Sequence, residues 1–263
     1  MLKLQNVNKT FFPNSVNERV ALSNIDLELG NGDFVTVIGS NGAGKSTVLN
    51  TIAGKVSPDT GIVDIAGRNV TRMKDYKRAT YVGRVFQDPM AGTAPDLTIE
   101  QNMALAERRG MRRGLASGIT KAKRTRFADE LQVLELGLEN RLSAKVGLLS
   151  GGQRQALSLL MATFSQPKIL LLDEHTAALD PERARLVTDL TEKVVAEQEL
   201  TTLMVTHNMG QALEVGNRLI MMHEGRIILD VSGTEKSSMT VEDLLAQFTN
   251  IKNATVSDRT LLQ

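Results

Sequence analysis

The chain has 263 residues, a length suited to one large domain carrying a subdomain rather than to two full domains. Its composition, 41% hydrophobic and 23% charged with a formal net charge of +1, excludes wholesale disorder and gives none of the basic excess expected of a nucleic-acid binder. There is no cysteine, so disulfides, thiolate metal sites and cysteine nucleophiles are excluded, and a reducing compartment is permitted.

From the N-terminus, Met1 to Asn6 lacks the apolar stretch of a signal peptide, and no window approaches the roughly 18 apolar residues of a spanning helix. A cytoplasmic protein is expected, with any membrane role coming through a partner. Leu2 and Leu4, then Ala21 to Leu29 and Phe34 to Ile38, alternate with period two and predict strands, punctuated by Gly30 and Gly32. Lys45 to Ala53 has helical spacing and stops at Gly54; Ser57 to Gly61 turns into a strand at Ile62 to Ile65. After a strand at Tyr81 to Phe86 the character becomes helical, with Thr98 to Arg108 and then Ile119 to Leu136, whose Phe127, Leu131 and Leu134 share a face. Residues of about 90–160 thus read as a helical subdomain inserted in a sheet domain. Ile169 to Leu172 is an unbroken apolar run of the kind a strand covered on both faces requires. Pro181 opens a further helix, Thr201 to Val205 is another buried strand, and Arg218 to Met222 with Arg226 to Leu229 forms a closing hairpin. The alternation predicts an α/β fold with a mainly parallel sheet, over a domain of residues 1–247 followed by a polar tail, 248–263.

Gly39-Ser40-Asn41-Gly42-Ala43-Gly44-Lys45-Ser46 fits the pattern G-x-x-x-x-G-K-[ST], after an apolar strand and opening a helix, where a phosphate loop must sit. The glycines let backbone N–H groups turn inward onto phosphates, and the helix N-terminus adds positive dipole. Lys45 is placed to neutralise β- and γ-phosphate charge and Ser46 to hold Mg²⁺; the nucleotide-binding stretch extends to Thr47. Downstream, the hydrophobic strand Ile169 to Leu172 ends in Asp173 and Glu174. Asp173 is placed for the water shell of the magnesium, and Glu174 for taking a proton from attacking water. Taken alone, acids at a strand end often serve merely to cap the next helix.

Leu149-Ser150-Gly151-Gly152-Gln153 precedes a helical segment running to about Phe164. Ser150 is a natural N-cap, yet two glycines directly after it are poor helix formers, so a second anion site of bare N–H groups is the sharper reading. With this pentapeptide, the phosphate loop and the acidic strand together, the sequence resembles the nucleotide-binding subunit of an ABC transporter over about residues 2–230. The resemblance implies a P-loop NTPase core with an N-terminal antiparallel β-subdomain and the inserted helical subdomain. It implies further roles. Gln87, in Phe86-Gln87-Asp88-Pro89, matches the glutamine that reaches the metal or the attacking water and senses the transmembrane partner. Ala178-Leu179-Asp180 matches the loop that crosses the dimer interface, and His207 the histidine that contacts the γ-phosphate. Phe11, better placed than Phe12, is similar to the aromatic that stacks on adenine.

In this family the signature of one chain, here Ser150 to Gln153, faces the phosphate loop of the other. ATP is therefore buried between two subunits, a homodimer or a pair of related ATPases, and its hydrolysis reopens them. The resemblance further implies integral membrane permease subunits and an extracytoplasmic solute-binding protein, with the ATPase peripheral on the inner face of the cell membrane. An importer is expected, since no membrane domain is fused to the chain, and small solutes such as amino acids are suggested. The alternative is a non-transport ABC ATPase, for example one serving cluster assembly.

Two features depart from the family or add to it. His175 stands where proline usually follows the catalytic glutamate, and is read either as a pH-sensitive group near the dimer seam or as an inert exposed histidine. Between Glu107 and Asp129 there are no acids, yet Arg108, Arg109, Arg112, Arg113, Lys121, Lys123, Arg124 and Arg126 occur. That stretch reads as a contact for anionic lipid headgroups or as a solvated face, with nucleic acid a distant third.

Overall fold

The structure, a computed structural model, describes residues 1–111 and 118–249. Ten strands and the helices between them form two sheets. Strands β1 (Leu2–Phe11), β2 (Arg19–Leu29), β4 (Thr60–Ile65) and β5 (Arg68–Asn69) make an antiparallel sheet in the order β2-β1-β4-β5. The second sheet runs β10-β9-β3-β8-β7-β6, from β3 (Phe34–Gly39), β6 (Val82–Val85), β7 (Ile169–Asp173), β8 (Thr202–Val205), β9 (Arg218–His223) and β10 (Arg226–Ser232). All its pairings are parallel except the closing β9–β10 hairpin. The buried parallel strands are rich in Val, Ile, Leu and Met because both of their faces are covered, one by the helices Gly151–Thr163 and Pro181–Glu197 and the other by the helix Lys45–Ala53 and the antiparallel sheet.

Helix α1 (Lys45–Ala53) follows β3, and α2 (Asp75–Arg78) precedes β6. Next come α3 (Ile99–Glu107), α4 (Lys121–Gln132) and α5 (Gly151–Thr163), then α6 (Pro181–Glu197), α7 (Met209–Glu214) and α8 (Gly233–Ser238); residues 241–249 are helical as well. The start of each functional helix is written locally. Thr98 and Gln101 close a capping box on α3, Ser150 and Gln153 close one on α5, and Asp180 caps α6 with Pro181 in the first turn. The α4 segment is shorter at both ends than the predicted 119–136: Thr120 caps its start, and after Gln132 the chain turns, with Glu135 in the left-handed region, while Leu134 stays buried in the same cluster.

Two cores result. One lies under the antiparallel sheet and α1, around Leu4, Ile25, Leu49, Ile65 and Val205. The other belongs to the helical portion, where Ile99, Met103, Phe127, Leu131, Leu138 and Leu157 pack together. Arg78 fastens α1 from below: its buried guanidinium donates to the carbonyls of Thr51 and Ile52, the last turn of that helix, and to those of Thr71 and Met73.

Part of the basic stretch is neutralised by α3. Arg124 makes a two-pronged bond to Glu100, at 2.6 and 2.8 Å, while Lys123 and Arg126 both close on Glu107. Three of the six described cations therefore pair with acids of α3, although the side chains of Arg124 and Arg126 stay about half exposed; Arg112 and Arg113 lie outside the described residues, as does tail 250–263.

Candidate functional site

Four of the candidate groups sit at the C-terminal ends of neighbouring parallel strands, the position where open α/β sheets gather ligands. β3 runs into the phosphate loop, β8 into His207, β7 into Asp173 and Glu174, and β6 toward Gln87. Register sets their mutual height. Val37 of β3 stands opposite Val205 of β8, which stands opposite Asp173 of β7. The next residues on, Thr206 and Glu174, donate backbone N–H groups to Val37 and Val205 respectively.

The phosphate loop is pinned from outside. Gly44 has a φ of 102° and leaves no room for a side chain, since a Cβ there would lie 2.5 Å from the carbonyl oxygen of Ala21. Ala43 accepts from the Gly225 N–H at 3.0 Å, and the Arg19 guanidinium donates to the Gly42 carbonyl at 3.1 Å. Lys45 is only 7% exposed, and its Nζ folds back onto the Gly39 and Ser40 carbonyls at 2.7 and 3.2 Å. Burial pushes its pKa below the ordinary lysine value, while the carboxylates of Glu174 and Asp173 pull it back up. Those two acids and Lys45 therefore share one electrostatic environment. Ser46, Asn41 and Gly42 are exposed at the mouth of the loop, Thr47 is half-buried, and Ala43 is buried.

Glu174 is held in the left-handed backbone region, φ 46°, a conformation uncommon for a residue with a side chain. The turn is stabilised by its N–H on Val205 and by the Ala177 N–H on its own carbonyl. Its Oε2 lies 3.6 Å from Nδ1 of His207. His207 is 63% exposed and stands on a turn built by its neighbours. Thr206 Oγ1 donates to Gln211, Gln211 donates to Thr188, and Asn208 caps α7. Asp173 is bound by Arg84, whose Nη2 donates to Oδ2 at 2.7 Å.

The other candidates lie around this centre. Gln87 is exposed on the loop after β6, next to Phe86, whose carbonyl accepts from Gln155 of α5 at 3.0 Å. Phe11 is half-buried at the end of β1 opposite Arg19, the residue bonded to the phosphate loop, whereas Phe12 is exposed. Ser150 to Gln153 open α5 and pack beside the start of α6: a Cβ on Gly151 would lie 3.2 Å from Leu179, and one on Gly152 3.5 Å from Arg183. Among the described residues no hydrogen bond joins 150–153 to the phosphate loop. Asp180 spends its carboxylate on the Arg183 N–H and guanidinium.

His175 is not exposed. It is 2% accessible and bonds Thr191 of α6 through Nε2 at 3.1 Å, so burial pushes its pKa down to about 4. A neutral imidazole packed behind the turn replaces both sequence readings. The sequence also missed Arg84 and Arg19. An arginine inside the short strand Val82–Val85 was the available signal, because a buried strand cannot hold a cation without a partner.

The donors present fit magnesium held mainly by a nucleotide. No group of three or more His, Asp or Glu among the described residues could cage a metal unaided. A serine hydroxyl, one aspartate and an amide oxygen are hard oxygen donors of the kind that supplement phosphates around a hydrated Mg²⁺.

Residues 22–177 match the profile of the ABC transporter family. The chain is 45% identical over 249 residues to the tyrosine transport ATP-binding protein of Clostridioides difficile, covering 94% of this chain and 98% of that one. It is 34% identical over 232 residues to the putative hemin import ATP-binding protein HrtA of Staphylococcus haemolyticus, covering 87% and 99%. In structure it is similar to the dimeric post-hydrolysis state of the ATP-binding cassette MJ0796 bound to ADP and Pi, with a TM-score of 0.75, 32% identity, and coverage of 88% and 98%.

Proposed function

The chain belongs to the ABC transporter family of ATP-binding proteins, and from that premise we propose how its residues divide the work of binding, hydrolysing and coupling. It is an ATP-binding subunit that hydrolyses ATP. Gly39 to Thr47 cradle the phosphates, and Lys45 leaves the Gly39 and Ser40 carbonyls to neutralise β- and γ-oxygens. Ser46, Asp173 and Gln87 would hold Mg²⁺, which when bound offsets phosphate charge. Glu174 takes the proton of the attacking water, and His207 donates to the γ-phosphate. Phe11 stacks on the base. Ser150 to Gln153 act on the nucleotide of a partner chain, with Asp180 at the seam, so that ATP closes a dimer and hydrolysis releases it. The observation that carries this reading is the convergence of Lys45, Asp173, Glu174 and His207 at the ends of adjacent strands.

We further read the chain as the engine of a small-solute importer, peripheral on the inner membrane face and working with permease subunits and an extracytoplasmic solute-binding protein. The domain is residues 1–247, with the helical portion at about 90–160 available for docking. Support for a docked permease comes from a groove of about 1320 Å³ beside the Gln87 loop. It is edged by the exposed side chains of Tyr76, Leu105 and Met111, and no helix of the described residues is long and apolar enough to cross a membrane. Tyrosine or a related amino acid is the favoured solute, from the name of a relative 45% identical over 94% of this chain. A non-transport ABC ATPase is not favoured, since the relatives carry transport names.

The test is purification of the tagged chain from solubilised membranes, then ATPase assay of the complex with its solute-binding protein and tyrosine. An integral membrane protein should co-purify, and tyrosine should stimulate hydrolysis. Recovery of the chain alone would overturn the transport reading; co-purification with stimulation by other solutes only would overturn the amino-acid assignment.

A further inference from the structure

Arg84 is the one cation of strand β6, and it is largely buried between the phosphate-loop helix and the acidic strand. Its side chain is 11% exposed and that of Asp173 17%. Nη2 donates to Asp173 Oδ2 and Nη1 to the side-chain oxygen of Asn50 in α1, each at 2.7 Å. The plane of the guanidinium is backed by Phe86, with its central carbon 4.8 Å from the ring centroid. Arg84 stands opposite Leu171 on β7, two residues before Asp173, so the strand register sets the reach of the side chain. Three elements thus hold one charge against one carboxylate.

We propose that Arg84 is a positioning residue that sets how tightly the site retains its metal: it occupies one oxygen of Asp173 and balances that carboxylate's charge. This inference rests on the assignment of Asp173 to the metal. A divalent cation sharing Asp173 with a fixed guanidinium meets like-charge repulsion, and screening is weak in so enclosed a place. The carboxylate alone therefore holds the metal loosely, and the phosphates of the nucleotide must supply the rest. Retention is then strong with a triphosphate and weak with a diphosphate, which clears the site once the γ-phosphate has left.

The experiment is binding of Mn²⁺, followed by electron paramagnetic resonance, to wild type, Arg84→Met, Arg84→Gln, Arg84→Lys and Asp173→Asn, each with excess ADP and with a non-hydrolysable ATP analogue. Loss of the positive charge in R84M and R84Q should tighten Mn²⁺ binding with ADP about threefold to tenfold, a factor of ten corresponding to about 1.4 kcal/mol. R84K, which keeps the charge, should stay within about twofold of wild type, and melting curves identify any variant that fails to fold. R84Q serves if R84M does not fold, because it retains a donor for Asp173. Unchanged or weaker Mn²⁺ binding in the folded neutral variants overturns the inference, as does an R84K that behaves like them. D173N separates the two layers: if it binds Mn²⁺ as wild type does, the metal assignment itself is wrong, whereas loss in D173N beside no change in R84M and R84Q removes only the role of Arg84.

Discussion

Nδ1 of His207 lies 3.6 Å from Oε2 of Glu174, although the two residues belong to turns after different strands. The pairing of Asp173 with Val205 puts those turns side by side, so the proposed base and the proposed γ-phosphate contact face one point. A group that only removes a proton leaves substrate affinity untouched when it is neutralised. Glu174→Gln should therefore lose about 10²- to 10⁴-fold in hydrolysis rate, while ATP affinity stays within about twofold. Turnover near wild type, measured by phosphate release, would reject Glu174 as the base.

Ser150 gives a sharper comparison because its cap has a twin. Ser150→Ala and Thr98→Ala each break a capping box, and each should cost about 1 kcal/mol in stability. Only Ser150 is expected to serve a partner's nucleotide. S150A should lower hydrolysis at least about tenfold at saturating ATP, the loss of a transition-state donor, with T98A close to wild type. Equal activity in the two variants would reduce Ser150 to a helix cap.

The phosphate loop depends on one cramped glycine. Gly44→Ala must place a Cβ 2.5 Å from the Ala21 carbonyl oxygen at φ 102°, whereas Gly67→Ala meets nothing within 4 Å at φ 76°. Backbone strain of about 1–2 kcal/mol is common to both. The Gly44 variant should melt lower than the Gly67 variant and lose nucleotide binding, read by thermal shift with and without ATP. Matching melting temperatures would remove the steric argument.

His175 makes stability pH-dependent from inside the fold. Its pKa is about 4 in the native chain against an ordinary value of 6.5, so between those values the unfolded chain binds the extra proton. The contribution is complete above pH 6.5, declines as pH falls toward 4, and amounts to roughly 3 kcal/mol over that window. Urea midpoints should fall from pH 7 to pH 5 more steeply in wild type than in His175→Gln, which keeps a polar partner for Thr191 without titrating. Parallel slopes would show that the imidazole is not the source.

Features encoded by near neighbours were readable in the sequence. The limits of α1 follow from Gly44 and Gly54, both left-handed and both able to bound a helix, and the prediction of 45–53 matches the structure. The acidic strand and the β9–β10 hairpin were equally plain. What depends on distant partners was not. His175 looks like a loop residue until α6 folds over it, and Lys123, Arg124 and Arg126 look like a bare basic face until α3 supplies Glu100 and Glu107. Arg84 left a trace, a charge in an apolar strand, but only the register with β7 reveals its partner.

Arg78 locks the last turn of α1, through the carbonyls of Thr51 and Ile52, to the turn after β5, through those of Thr71 and Met73. The helix that presents Lys45 is thereby an anvil, unable to tilt without stripping a buried guanidinium of its acceptors. Any rigid-body opening and shutting would then fall on other joints, chiefly where α5, shared between the helical cluster and the sheet, packs on the strands.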